Sequence, residues 1–216
     1  MKRGAGKAPV QSTARLAPTT ERGRQSRQRI VNAAERVFGE KGYFPASIAD
    51  ITREADVAQG TFYSYFTSKR EVFIEVLAGL AYLIRTVTRE ALGDGQGRLE
   101  EERRGFAAFF ALVNEHPHLY RIVRQAEFVE DSLQIYYERI VPGYVTRLRA
   151  AMERDEIRRL DPETLAYCLL GIGDLVGMRW PYWTGKPIPP EVFESVMEFI
   201  RHGMAVERQP DKEVIS

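Results

Sequence analysis

The segment from Ser47 to Phe73, SIADITREADVAQGTFYSYFTSKREVF, leaves little choice of local structure. Ser47 and Asp50 have the S-x-x-D spacing of a capping box, which supplies acceptors to the orphan amide protons of a helix start. Ile48, Ile51 and Ala55 then recur at i, i+3 and i+7, one face of a 3.6-residue period. Asp56 and Val57 interrupt that face. A second short helix is predicted from Gln59 to Phe66, with Phe62 and Phe66 four apart on one side. Gly60, Thr61 and Ser64 then point outward, and Gln59, Tyr63 and Tyr65 flank them. Ser68 and Glu71 repeat the capping spacing and open a third helix. Two short amphipathic helices joined by a tight turn, the second presenting small, polar and phenolic groups, read as a helix-turn-helix. Paired short helices also occur as plain packing units, so the pattern by itself leaves DNA binding and core packing both open.

Charge divides along the same line. Residues 1–70 carry 13 Lys and Arg against 6 Asp and Glu, whereas the remainder carries 18 against 24. A basic first third is what phosphate attraction requires, and an acidic remainder would not lie along DNA. The net charge of +1 conceals this asymmetry.

The segment QRIVNAAERVFGEKGYFPASIADITREADVAQGTFYSYFTSKREVF resembles the DNA-binding module of the TetR family of bacterial transcription regulators. The turn departs from the family pattern: it usually reads Ala-Gly-Val-Ser, and here it is Ala55-Asp56-Val57-Ala58. Asp is among the non-glycine residues that tolerate the left-handed region. Ala58 is a poorer helix cap than Ser by about 1 kcal/mol. The resemblance implies DNA contacts from Ser47, Gln59, Thr61, Tyr63, Tyr65 and Lys69, with Gly60 on the same outward face. Chemistry divides their roles. Gln59 can pair with an adenine edge and the Thr61 methyl can touch a thymine methyl. Ser47, Tyr63, Tyr65 and Lys69 suit phosphates, although the position of Tyr65 also lets it pack.

Around this module the chain reads as helix throughout. No stretch alternates with period two, so the expected fold is all-α with about nine helices: a helix-turn-helix domain followed by a helical ligand-binding and dimerisation domain. The boundaries are a flexible basic arm over 1–22, the DNA-binding domain over 23–70, the second domain over 71–208 and a tail over 209–216. Ile30, Ala33, Ala34, Val37 and Phe38 give the first helix a broad apolar stripe, and Gly42 supplies its C-cap. The helix opened by Ser68 should run to about Leu92, too long for a DNA-binding module alone, and so connects two parts of the molecule. Gly93 to Gly97 end it as a loop; no phosphate-loop lysine follows the glycines. Leu133 to about Arg154 reads as one long helix with Pro142-Gly143 kinking or breaking it.

The middle of the chain gathers aromatic side chains with a few polar groups, a composition that suits a small-molecule cavity and equally a helical core. The candidate ligand residues are Phe109, Phe110, Tyr120, Arg124, Phe128, Tyr137, Tyr144, Arg147, Asp174 and Trp180. The segment from Glu127 to Ile157, with Ala166–Trp180 after it, is similar to effector domains of TetR-like regulators that sense acyl-CoA or other hydrophobic metabolites. The last two helices are apolar on more sides than one core can cover. Leu169, Ile172, Val176, Phe193, Val196, Met197 and Ile200 are therefore expected at a two-fold interface, as the resemblance also implies.

These readings converge on a cytoplasmic homodimer that binds a double-stranded DNA operator and is released by a small-molecule effector. No cofactor, metal or membrane partner is expected. Three His and one Cys provide neither a disulfide framework nor zinc-ligand spacing. Cys168 reads as a buried, reduced thiol. No nucleophile elbow, zinc motif or phosphate loop occurs, so the chain is not expected to be an enzyme. A ligand-independent architectural DNA binder is the alternative from another class, and a helical enzyme working in the aromatic region the remote one.

Overall fold

The computed structural model describes residues 20–93 and 97–206. Helix formation follows the capping and periodicity signals closely. α1 (Glu21–Lys41) starts a little before the expected Arg24, because the Thr20 hydroxyl accepts from the Gly23 amide at 3.1 Å. The arm before Thr20 and the tail after Val206 lie outside the described residues, as do Asp94 to Gln96 of the glycine-rich loop.

α2 (Ile48–Glu54) carries the complete capping box: Ser47 Oγ accepts from the Asp50 amide at 3.1 Å, and Asp50 Oδ2 accepts from the Ser47 amide at 3.0 Å. These bonds, the Lys41 ammonium first, hold the Asp50 carboxyl far below the usual carboxylate range. The turn into α3 (Gln59–Tyr65) places Asp56 at φ 51°, the left-handed position that glycine more often fills. Ala58 caps α3 with no side-chain hydrogen bond. Phe62 and Phe66 are buried and lean on one another, as their four-residue spacing requires.

α4 (Lys69–Ala91) is capped by Ser68, whose hydroxyl accepts from the Glu71 amide at 3.2 Å. The reciprocal half of this box is displaced by one residue: Glu71 Oε2 accepts from the amide and hydroxyl of Thr67 at 2.6 and 2.7 Å. At the same end, Lys69 braces the module. Its ammonium donates to the carbonyls of Tyr43, Phe44 and Ala46 at 2.8, 3.2 and 2.8 Å and sits 4.5 Å from the centre of the Tyr43 ring. Burial in this cage lowers the lysine pKa from its ordinary value.

α5 (Arg98–Glu115) and α6 (Pro117–Gln125) follow, then a 3₁₀ turn at Ala126–Phe128. The helix expected from Leu133 onward is two helices, α7 (Ser132–Glu138) and α8 (Val141–Glu153). The break falls at Arg139 and Ile140 because Pro142 lacks an amide donor and is tolerated only in the first turn of the new helix. This division makes ten α-helices among the described residues, in the all-α class read from the sequence. α9 (Pro162–Gly177) is capped by Asp161, which accepts from the Thr164 amide at 2.8 Å, and it runs into a π turn over Met178–Tyr182. α10 (Pro190–Met204) completes the fold.

Two apolar cores result. The first joins α1, α2 and α3 to the front half of α4 and continues through Ile122, Ala126, Val129, Tyr136 and Ile140. The second joins α5, α8, α9 and α10. Leu169, Met197 and Ile200, expected at a dimer face, are buried in this second core. Both final helices are apolar on several sides, and periodicity alone cannot say which side faces inward. Ile172, Val176, Phe193 and Val196 are half-buried against the same core. The outward apolar groups are others: Tyr167, Leu175 (64% exposed) and Phe199 (71% exposed). Cys168, expected to be buried, is exposed on α9.

Two substitutions test this account of the module. Ala58→Ser should add the missing cap of α3 and raise stability by about 1 kcal/mol, read as a higher midpoint of thermal unfolding. Lys69→Met should remove the donor from three carbonyls and lower stability by about 1–3 kcal/mol in the same assay.

Candidate nucleic-acid interface and buried cavity

α3 turns its apolar side inward and its remaining residues outward. Gln59, Gly60, Tyr63 and Ser64 are exposed, Thr61 is half-buried, and Ser47 is exposed at the start of α2. A Cβ built on Gly60 would meet nothing within 4 Å, so packing within the chain does not require glycine there. Ser64 bonds back to the Gly60 carbonyl at 3.1 Å. Tyr63 lies edge-on to Phe62 with its ring centre 5.5 Å away. Tyr65 packs against the first core, the alternative its wheel position allowed. Lys69 was expected to hold a phosphate; its three donors instead face the three carbonyls of the brace, and a phosphate contact would require giving up at least one of them. An outward face of Gln, Gly, Thr, Tyr and Ser on a short helix matches the donor, acceptor and methyl chemistry of a major groove.

The helix-turn-helix is tied to the rest of the chain at the end of α1. Gly42 has φ 88°, and a Cβ there would come within 2.9 Å of Gln125 Oε1. That same oxygen accepts from the Tyr43 amide. Arg121 Nη1 donates to the carbonyls of Gly39 and Glu40 at 3.2 and 3.1 Å, and Arg70 donates to the Glu130 carbonyl at 2.7 Å.

Behind the module, α4, α5, α7, α8 and α9 enclose a cavity of about 360 Å³. The rear half of α4 supplies one wall through Ile84, Thr86 and Leu92, and Tyr82, Arg85 and Arg89 lie at its exposed side. Five of the expected ligand residues line it: Phe109, Tyr137, Tyr144, Arg147 and Asp174. The other five do not. Phe110 is buried in the second core between Phe106 and Phe193. Tyr120 lines a separate space of about 30 Å³. Arg124 pairs with Glu127 at the surface at 3.2 Å, Phe128 is 70% exposed, and Trp180 stands on the π turn beside Arg179. An aromatic residue at helical spacing announces a buried face, not whether that face borders a void.

Two polar clusters stand in the cavity wall. In one, Arg98 is buried and pairs with Glu101 at 2.8 Å and with Glu102, while the Tyr144 hydroxyl donates to Glu102 at 2.5 Å. Burial raises the Glu102 carboxyl and the Tyr144 phenol above their ordinary values. Burial opposes the charge on Arg98, but Glu102, Tyr144 and Glu101 outweigh it and raise that pKa. In the other, the Asp174 carboxylate accepts from the Tyr137 hydroxyl at 2.5 Å, and the Tyr120 hydroxyl donates to the Asp174 backbone carbonyl with the carboxylate 3.2 Å away. Burial, then the Asp174 charge, raises both phenols. Arg98 and Glu102 were not singled out from the sequence; an i, i+4 ion pair at the start of a helix carries no signal of burial. Among the described residues no cluster of three His, Cys, Asp or Glu could hold a metal ion, and no helix is long and apolar enough to cross a membrane.

Comparison with known proteins agrees with this geometry. Residues 30–76 match the family model for bacterial regulatory proteins of the tetR family. The chain is 25% identical over 188 residues to YdgC, an uncharacterised HTH-type transcriptional regulator of Bacillus subtilis, spanning 85% of this chain and 94% of that one. It is 26% identical over 192 residues to the fatty acid metabolism regulator protein of the same species, spanning 81% and 93%. Among solved structures, FadR from Bacillus subtilis in complex with stearoyl-CoA shares the fold, with a TM-score of 0.69 at 22% identity over 80% of this chain and 96% of that one. The chain therefore carries the DNA-binding module of the tetR family of bacterial regulatory proteins and, over most of its length, is similar to HTH-type transcriptional regulators.

Proposed function

We propose that this regulator is a cytoplasmic homodimeric repressor, released from its operator when a small hydrophobic molecule, with acyl-CoA as the leading candidate, enters the cavity behind α4. One observation carries the reading. The front half of α4, from Val72 to Ala81, belongs to the core of the helix-turn-helix, and its rear half walls the cavity. A ligand that fits the void only after α4 shifts must also shift α3. A coupling free energy of about 1–3 kcal/mol, or roughly 5- to 150-fold in affinity, is enough for a working switch. The volume falls in the range of about 300–1,000 Å³ typical of small-molecule sites. The names of the fatty acid metabolism regulator and of the stearoyl-CoA complex support the choice of ligand class.

In the same reading α3 enters the major groove. Gln59 and Thr61 read base edges, while Ser47, Tyr63 and, where it can leave its core contact, Tyr65 hold the backbone. Two copies present their α3 helices about one DNA turn apart, roughly 34–36 Å. Tyr167, Leu175 and Phe199 offer the exposed apolar surface that such a pairing would cover.

Fluorescence anisotropy of labelled DNA from upstream of the chain's own gene, against random competitor, tests the switch. Specific binding that falls at least about fivefold with an acyl-CoA is expected; specific binding that no acyl-CoA disturbs would discard that ligand class, and indifference to every metabolite would favour an architectural DNA binder. In the same assay Gln59→Ala should relax the preference at one base pair by about 1–3 kcal/mol and leave binding to random DNA unchanged. Leu175→Glu should turn the dimer into a monomer by light scattering without loss of helical circular dichroism. A variant that stays dimeric would move the interface elsewhere.

A further inference from the structure

Three buried side-chain polar atoms find no hydrogen-bond partner among the described residues: Thr86 Oγ1, Arg98 Nε and Arg147 Nε. They come from α4, α5 and α8, yet all three residues line the one cavity. All three atoms can donate a proton, and the two guanidinium nitrogens can do nothing else. Buried donors in folded chains are almost always satisfied, so three orphans around one void call for an acceptor that enters it.

The wall does not provide that acceptor. Glu102 is taken by Arg98 and by the Tyr144 hydroxyl, and Glu101 by Arg98. The Asp174 carboxylate is bonded by the Tyr137 hydroxyl, and the Tyr120 hydroxyl, which donates first to the Asp174 backbone carbonyl, lies 3.2 Å from its other oxygen. Arg147 has no carboxylate of its own. Its guanidinium lies 5.8 Å from the centre of the Tyr144 ring, and burial, then repulsion by Arg98, lowers its pKa. The rest of the lining is apolar at Phe106, Phe109, Ile140, Leu169 and Leu170 and polar at Thr88, Tyr136 and, on the exposed side, Tyr82, Arg85 and Arg89. A lipophilic cation would find the Asp174 carboxylate already bonded to the Tyr137 phenol and would face Arg147 as a like charge.

We infer that the ligand of this cavity is an amphipathic oxyanion, an apolar body bearing carboxylate or phosphate oxygens, whose anionic head accepts from Arg147, Thr86 and Arg98 Nε. The inference rests on reading the cavity as the effector site. It deepens that reading by fixing the sign of the ligand's charge and the residues that receive it. Charge-assisted hydrogen bonds out of water make the head group the main source of selectivity, and the apolar lining then sets the size of the body.

Isothermal titration of the full chain with decanoate and dodecanoate, their CoA esters, the matching alcohols and decyltrimethylammonium tests it. At least one anionic series should bind about tenfold or more tightly than the alcohols. Arg147→Gln should cut that preference to within about threefold while helical circular dichroism and the thermal unfolding midpoint stay close to those of the parent, so that loss of the site is separated from loss of the fold. Thr86→Val should give a smaller loss of the same kind, and it carries the test if Arg147→Gln does not fold. Tighter free acids would identify the head as a carboxylate, and tighter CoA esters would identify it as phosphate. Alcohols binding as well as anions, binding of the cation alone, no binding by any anion, or a preference that survives in both variants would overturn the inference. Release of DNA by a neutral ligand would also overturn it while upholding the switch; tight anion binding without effect on DNA would do the reverse.

Discussion

One stiff element, α4, belongs to both halves of the molecule at once. Its 23 residues extend roughly 34 Å at the usual helical rise. Hydrogen-bonded backbone does not bend freely over that length, so a displacement at Leu92 has to appear at Lys69 or be absorbed by a break. The sequence between them offers no proline, and its one glycine, Gly79, is exposed. Each end is held by its own contacts. The Lys69 brace holds the front to the loop before α2. The rear packs against α5, where Arg104 Nη1 donates to the Leu92 carbonyl at 3.4 Å, and Arg85 Nη1 donates to the Arg139 carbonyl at 2.8 Å.

α6 provides a second tie, and it is polar where α4 is apolar. Arg121 and Gln125 reach the last turn of α1 and the residue after Gly42, groups whose carbonyls and amides have no further helical partner. Satisfying helix-end groups with side chains from another element makes the orientation of the module specific at little expense in buried area. A hydrophobic contact alone would tolerate sliding; a carbonyl bonded at about 3 Å does not.

Much of this was legible in the sequence, and the limits have physical causes. The caps at Ser47 and Ser68, the connector to Leu92 and the outward face of α3 all follow from local rules that a single segment satisfies by itself. The break between α7 and α8 was readable as a disturbance at Pro142, but its position depended on proline's preference for a first turn. Residues whose role depends on which helices become neighbours were not legible. Arg98 and Glu102 stand four apart like any surface pair until Tyr144 of α8 covers them, and Leu169, Met197 and Ile200 look like an interface until the second core claims them. Lys69 illustrates the same point: a basic residue beside a DNA-reading helix is read as a phosphate ligand until the carbonyls of a preceding loop are found around it.

The exposed thiol of Cys168 has a practical consequence. It is the single cysteine of the chain, and it projects from α9 near the middle of the helix. A spin label or fluorophore attached through it marks each copy once, at a fixed point on the element beside the cavity. Cys168 lies seven residues before Leu175, on the side of α9 proposed to pair, so in an assembly through that face the thiol is shielded, and its rate of labelling reports the pairing without changing any other residue.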